Sequence, residues 1–176
     1  MRKLQTSELG RLTVDQYREA KKSSVVVILD NVRSQYNTGS VFRTADAFAV
    51  RKIYLCGITG QPPAREIMKT SLGATESVEW SYFKDTCDAI REVRMEGYVI
   101  AAVEQVEGSI ELGKFLPEQE GKYALVFGHE VNGVDQRVID CCDLCIEIPQ
   151  FGTKHSFNIA VSAGIVLWEL TKKISV

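Results

Sequence analysis

Five polar residues stand where apolar stretches of this sequence hand over to one another: Asn37, Arg43, Glu130, Ser156 and Asn158. A carboxamide donates and accepts at once. A guanidinium is a permanent cation, a carboxylate only accepts, and a hydroxyl does both. Gathered at one place, such a set could hold a polar substrate and stabilise negative charge that develops on it. Each residue also has a plainer structural reading. Ser156 and Asn158 are good helix N-caps. Arg43 could pair with Asp46 or reach the surface. Glu130 could be an acidic turn before a helix starting near Asp135.

The segments around them sharpen the question. In "IEIPQFGTKHSFNIAVSAGIVLWEL" an apolar run, Leu144 to Ile148, stops at Pro149, and a helical run begins at Ile159. Lys154, His155, Ser156 and Asn158 fill the gap. The helix that follows carries Ala160, Ser162, Ala163 and Gly164, small residues that suit close packing. In "DNVRSQYNTGSVFRTADAF" Asn37 and Arg43 are six positions apart. A helix beginning near Thr38 places Arg43 in a small, apolar stretch, where a buried arginine needs partners. In "FGHEVNGV" Glu130 follows an apolar run and is flanked by Gly128 and Gly133. Glycines there permit backbone angles and close approaches that other residues forbid.

The surrounding elements must position these loops. Short β-branched or apolar runs at 23–29, 51–57, 77–83, 98–103, 123–128 and 144–149 read as strands. Helical patterns alternate with them, and a long helix runs from Asn158 to about Lys173. This alternation predicts an α/β fold with a mainly parallel sheet flanked by helices. In such sheets ligands bind outside the carboxyl ends of the strands. That rule selects the three loops that carry the five residues. The first 22 residues read as a charged helical extension, capped at Thr13 by Gln16 and packed outside a domain spanning 23–176.

Composition narrows the class. The chain is 45% hydrophobic and 25% charged, as in an ordinary globular domain. No apolar run approaches a membrane span, and no secretory signal opens the chain, so a cytoplasmic location is expected. Five cysteines, an odd number, argue against a disulfide framework. "CCDLC" lacks the paired spacing of a zinc site, so no metal is expected. A net charge of −2 gives no whole-chain footprint for nucleic acid, though basic residues concentrate near the N-terminus. The phosphate loop, the dinucleotide-binding glycine motif and the esterase serine elbow are all missing.

Taken in order, "N…G…FRTADAF" at 37–48, "LVFGHEVNGV" at 125–134 and "IPQFGTKHSFNIAVSAGIVLWE" at 148–169 resemble the three motifs of the SpoU (TrmH-like) family of knotted RNA methyltransferases, within the SPOUT superfamily. The resemblance covers about residues 24–172. It implies a C-terminal deep trefoil knot. It implies S-adenosyl-L-methionine bound in the knot, contacted around Val103, Glu104, Gly128, Gly133, Ile148, Phe157 and Asn158. Phe157 stands where the family usually has Leu. The resemblance implies a homodimer with its active site at the subunit interface and methyl transfer to a ribose 2′-hydroxyl of RNA. Arg43, Asn37, Glu130, Ser156 and Asn158 would form one catalytic cluster, with Lys154 and His155 near substrate phosphates. The compact domain is nearer the tRNA-directed than the rRNA-directed members. Two other readings stand beside it: a non-catalytic RNA-binding module that keeps the knot, and an enzyme that needs an accessory protein to present its RNA, which the low net charge motivates.

Overall fold

The computed structural model describes residues 1–174. Among these residues seven strands form one all-parallel sheet: β1 (Val25–Asp30), β2 (Lys52–Cys56), β3 (Glu79–Phe83), β4 (Val99–Val103), β5 (Ile110–Glu111), β6 (Tyr123–Phe127) and β7 (Leu144–Glu147). Their spatial order is β3-β2-β1-β6-β4-β7-β5. The expected α/β architecture is therefore present. The two-residue β5 is too short to leave a periodic signal in the sequence.

The sheet is buried on both faces, which is why its central strands are continuously apolar. All six residues of β1 are buried. Successive side chains of a strand point to opposite faces, and two core layers follow. Val25, Val27 and Leu29 join a cluster with α2 (Gln35–Ala47), α3 (Arg65–Ser71) and α7 (Ile159–Lys173). Val26 and Ile28 join another with α5 (Thr86–Met95) and α6 (Gln136–Ile139). Emptying such a position, for example Leu125→Ala, costs about 2–5 kcal/mol.

β7 lies between β4 and β5, which are consecutive in the chain. The 104–109 connection therefore crosses the end of a strand that forms later in sequence. The trefoil knot implied by the family resemblance needs an insertion of this kind.

Several local expectations are corrected. The second helix begins at Gln35, not near Thr38, because Ser34 is its N-cap and accepts a hydrogen bond from the Asn37 amide. Gly73 separates α3 from a second short helix, α4 (Ala74–Ser77). The charged helix α1 (Val14–Glu19) has the expected Thr13–Gln16 capping box, yet it does not sit apart from the domain. Its Tyr17 enters the core, and Arg18 donates two hydrogen bonds to the Glu76 carbonyl. One apolar residue per turn is enough to dock a helix whose other faces are solvated. Gly164 is not needed for close packing within one chain. A Cβ added there would meet only Thr44 Cγ2, at 3.9 Å.

Candidate active site

A pocket of about 260 Å³ opens beyond the carboxyl ends of β4, β6 and β7. The residues that follow these strands line it. Val103 ends β4 and Glu104 and Gln105 follow it, Gly128 to Gly133 follow β6, and Ile148, Gln150 and 155–157 follow β7. Phe127, Ile146, Ile148, Phe157 and Ile159 give it apolar walls. Glu104, Glu130 and Glu147 make its lining acidic.

The floor is built by backbone that other residues would obstruct. A Cβ on Gly128 would lie 2.2 Å from the Gly133 carbonyl carbon and the Val134 nitrogen. Gly133 has φ +67°, and a Cβ on it would lie 2.1 Å from Glu104 Oε2. Between them the chain folds back, with His129 and Gly133 exchanging both backbone hydrogen bonds at 2.9 and 2.8 Å. His129 Nδ1 accepts from the amides of Val131 at 3.0 Å and Asn132 at 3.3 Å. The Glu104 carboxylate accepts from the Val134 amide at 2.9 Å, tying the turn to β4. Glu104 thus acts on the pocket through its side chain as well as its place in the wall. Its own amide is committed to the Ile146 carbonyl.

At the mouth, three segments distant in sequence meet through side chains. Glu130 Oε1 accepts from Asn37 Nδ2 and from the Ser34 amide, both at 2.9 Å. Glu130 Oε2 accepts from the Arg33 amide at 3.0 Å. Asn158 Nδ2 donates to Asn37 Oδ1 at 3.1 Å. Asn158 Oδ1 caps α7 by accepting from the Ala160 and Val161 amides. The plain structural reading of Asn158 and the functional one are therefore both satisfied. The N-termini of α2 and α7 converge here. Their aligned peptide dipoles favour negative charge at this point. Partial burial works against a charged Glu130. The hydrogen bonds from Asn37, its own amide, Ser34 and Arg33 outweigh it and hold the carboxyl below the usual range.

Ser156, His155 and Phe157 line the pocket from an exposed loop. Phe157 is 41% exposed, so it covers the mouth only in part. Lys154 lies on the same exposed loop but not on the pocket wall. Arg43 reaches the surface, the plainer of its two readings, and it lines a different cleft with Arg11, Asp46 and Leu72, away from the other four residues. Six helical residues carry it about 9 Å along α2 and about 240° around it from Asn37. Within one chain the five residues do not form one cluster. Asn37, Glu130 and Asn158 do, with Ser156 beside them.

Asp30 was not anticipated. It ends the apolar strand β1 and is 1% exposed. It accepts from Thr86 Oγ1 at 2.6 Å, Asn31 Nδ2 at 2.9 Å and the Asp135 amide at 3.2 Å. It fastens the loops after β1 and β6 beneath the site. The only sequence signal was a charge closing an otherwise apolar run.

With this geometry in view, similarity to known proteins is informative. Residues 24–168 match the model of the SpoU rRNA methylase family. The 23S rRNA (guanosine-2′-O-)-methyltransferase RlmB of Neisseria meningitidis is 30% identical over 149 residues, 85% of this chain and 58% of that protein. The TrmH/SpoU tRNA modifying enzyme of A. aeolicus superposes with TM-score 0.80 and 25% identity, covering 91% of this chain and 81% of that one. The AdoMet-bound rRNA methyltransferase of Sinorhizobium meliloti gives TM-score 0.78 and 28% identity, covering 89% and 59%. The chain spans 58% to 64% of the length of curated relatives it matches. Three motif segments joined at one pocket, on this sheet, agree with the family match, and the chain belongs to the SpoU rRNA methylase family.

Proposed function

We propose that this protein is an S-adenosyl-L-methionine-dependent RNA methyltransferase acting on a ribose 2′-hydroxyl. The observation that carries the reading is the Glu130–Asn37–Asn158 hydrogen-bonded chain at the mouth of an acid-lined pocket. The residues present fit the cofactor. Apolar walls suit a flat heterocycle, and three carboxylates suit a sulfonium cation. The same carboxylates would repel a nucleotide phosphate. When bound, the cofactor supplies an electrophilic methyl group. Val103, Gly128, Gly133, Ile148 and Phe157 would shape its place, and Glu104 would hold the floor.

The chain's own residues orient the nucleophile. Glu130 is a poor base, because its carboxyl is held acidic and its oxygens already accept from Asn37 and two amides. Its part is to fix Asn37, and through Asn37 the side chain of Asn158. The Ser156 hydroxyl and the remaining amide N–H of Asn158 would hold the ribose. Arginine stays protonated at any ordinary pH. Arg43 therefore acts as a fixed cation on the developing alkoxide or the adjoining phosphate, not as a proton acceptor. The hydroxyl proton leaves to water at the exposed mouth.

Arg43 cannot serve the pocket of its own chain as placed, so we propose a homodimer in which a second copy brings it there. α7 carries an apolar stripe at helical spacing that its own chain leaves open: Val161 at 50% and Trp168 at 58% exposure. Such a stripe suits a two-fold interface. tRNA is the favoured substrate, supported by the likeness to the tRNA modifying enzyme, most of whose length this chain covers. rRNA is the second reading, supported by the RlmB relative.

The test is methyl transfer from radiolabelled S-adenosyl-L-methionine to unmodified tRNA and, separately, rRNA, followed by digestion to nucleosides. A labelled 2′-O-methylnucleoside from tRNA is the expected result. Label on a base would overturn the ribose assignment.

A further inference from the structure

Two clefts outside the pocket adjoin along α4. One, of about 520 Å³, lies between the N-terminal arm and α2, and the other, of about 860 Å³, lies at the amino ends of β2 and β3. They share Glu76 and Ser77 as a common rim. Together they form a trench lined by Arg11, Arg18, Lys21, Lys22, Arg43 and Arg51. Against these six cations stand Asp46, Glu76 and Glu79. The whole chain carries −2, so the surface outside the trench is more acidic than that total suggests. Positive charge is concentrated here and is not a property of the protein at large.

The cations differ in what holds them. Arg18 is spent on the Glu76 carbonyl, and Lys22 stacks on the Tyr17 ring while bonding the Tyr17 carbonyl. Arg11, Lys21, Arg43 and Arg51 are exposed and make no side-chain hydrogen bond or ion pair among the described residues. Four free cations along one depression are arranged for a repeated anion. The depression meets α2 only over its last turns, at Arg43, Asp46 and Ala47, and continues past α4 to Arg51 and Lys21 at the amino ends of β2 and β3.

We infer that this trench is a track for the phosphate backbone of the substrate RNA, engaging nucleotides flanking the one methylated. The inference rests on the RNA reading above and deepens it. Arg43 stands at one end, so in the dimer the track leads from a neighbouring active site towards Lys21 and Arg51. Contacts of this kind position RNA without reading its sequence. They also explain how a chain of net negative charge can hold RNA.

The test uses the full chain and its double variant Lys21→Gln/Arg51→Gln, both far from the pocket. Affinity for unmodified tRNA transcript is measured between 50 and 200 mM salt. The plot of log affinity against log salt should lose about one unit of slope per cation, so about two in the double variant. Each single variant should lose about half of that. Affinity for S-adenosyl-L-methionine should not change, which also reports an intact fold. RNA binding with an unaltered slope in a folded double variant would overturn the track and leave the RNA reading standing. No binding of tRNA or rRNA by the unmodified chain at low salt would overturn the track, while the methyl-transfer assay decides the RNA reading separately.

Discussion

Asn37 stands between Glu130 and Asn158, donating to one at 2.9 Å and accepting from the other at 3.1 Å. One carboxamide thereby joins residues 93 and 121 positions away. Only a group that donates and accepts at once can do this. Asn37→Ala should remove both links. The expected loss is about 1–2 kcal/mol of stability and, through misplacement of the ribose, about 100-fold in turnover. Cofactor affinity should move less than threefold, as seen by titration calorimetry. Asn37→Asp should be worse than alanine, because it sets a second carboxylate against Glu130.

Arg43 gives a separate test of the dimer. Arg43→Ala should abolish methyl transfer without changing the melting temperature, since the side chain is exposed and unbonded. Asn158→Ala should also be inactive. Mixed and re-equilibrated, the two variants should recover about a quarter of wild-type activity, because half the dimers are mixed and each has one intact site. No recovery would mean that each chain uses its own Arg43.

Two glycine substitutions should act with opposite sign. Gly128→Ala drives a methyl into the Gly133–Val134 backbone, which cannot swing aside as a side chain could. It should cost about 1–3 kcal/mol or more and should weaken cofactor binding. Within one chain Gly164→Ala meets nothing closer than 3.9 Å and lies inside α7. It should stabilise the chain's own fold by up to about 1 kcal/mol, the helix propensity gain, and, lying on the Val161–Trp168 stripe, should weaken the proposed dimer. Thermal melts of the pair measure both.

Glu130 sets a pH dependence. Its folded carboxyl is more acidic than the unfolded one, whose usual value is about 4.3. The folded state therefore binds fewer protons in this range, and stability from Glu130 is full above that value. It is lost as pH falls through the lower, folded pKa. Urea midpoints from pH 6 down to pH 3 should show wild type losing more stability than Glu130→Gln over that window. Parallel curves would remove the ionised carboxylate from the account.

Much of the molecule could be read before folding because local patterns encode it. A continuous β-branched run marked β1, an unbroken apolar run marked β6, Thr13 and Gln16 marked the cap of α1, and Asn158 stood at the start of α7. The three loops followed from one rule about the carboxyl ends of parallel strands. The motif segments, matched in order, named the family. What tertiary structure decided was which groups meet. Periodicity assigns a residue to a face of its own helix, but it does not say what covers that face. Arg43 was open between burial with partners and the surface, and the fold puts it on the surface, on the side of α2 turned away from Asn37. Tyr17 looked like part of a solvated helix and is core, because α4 lies beneath it. Asp30 took its role only when Thr86 and the Asp135 amide, 56 and 105 residues on, came to its oxygens. β7 found its place between β4 and β5 by pairing that no local preference specifies. Side-chain chemistry and short-range pattern belong to the sequence. Long-range juxtaposition belongs to the packing, since it depends on the free energy of the whole chain.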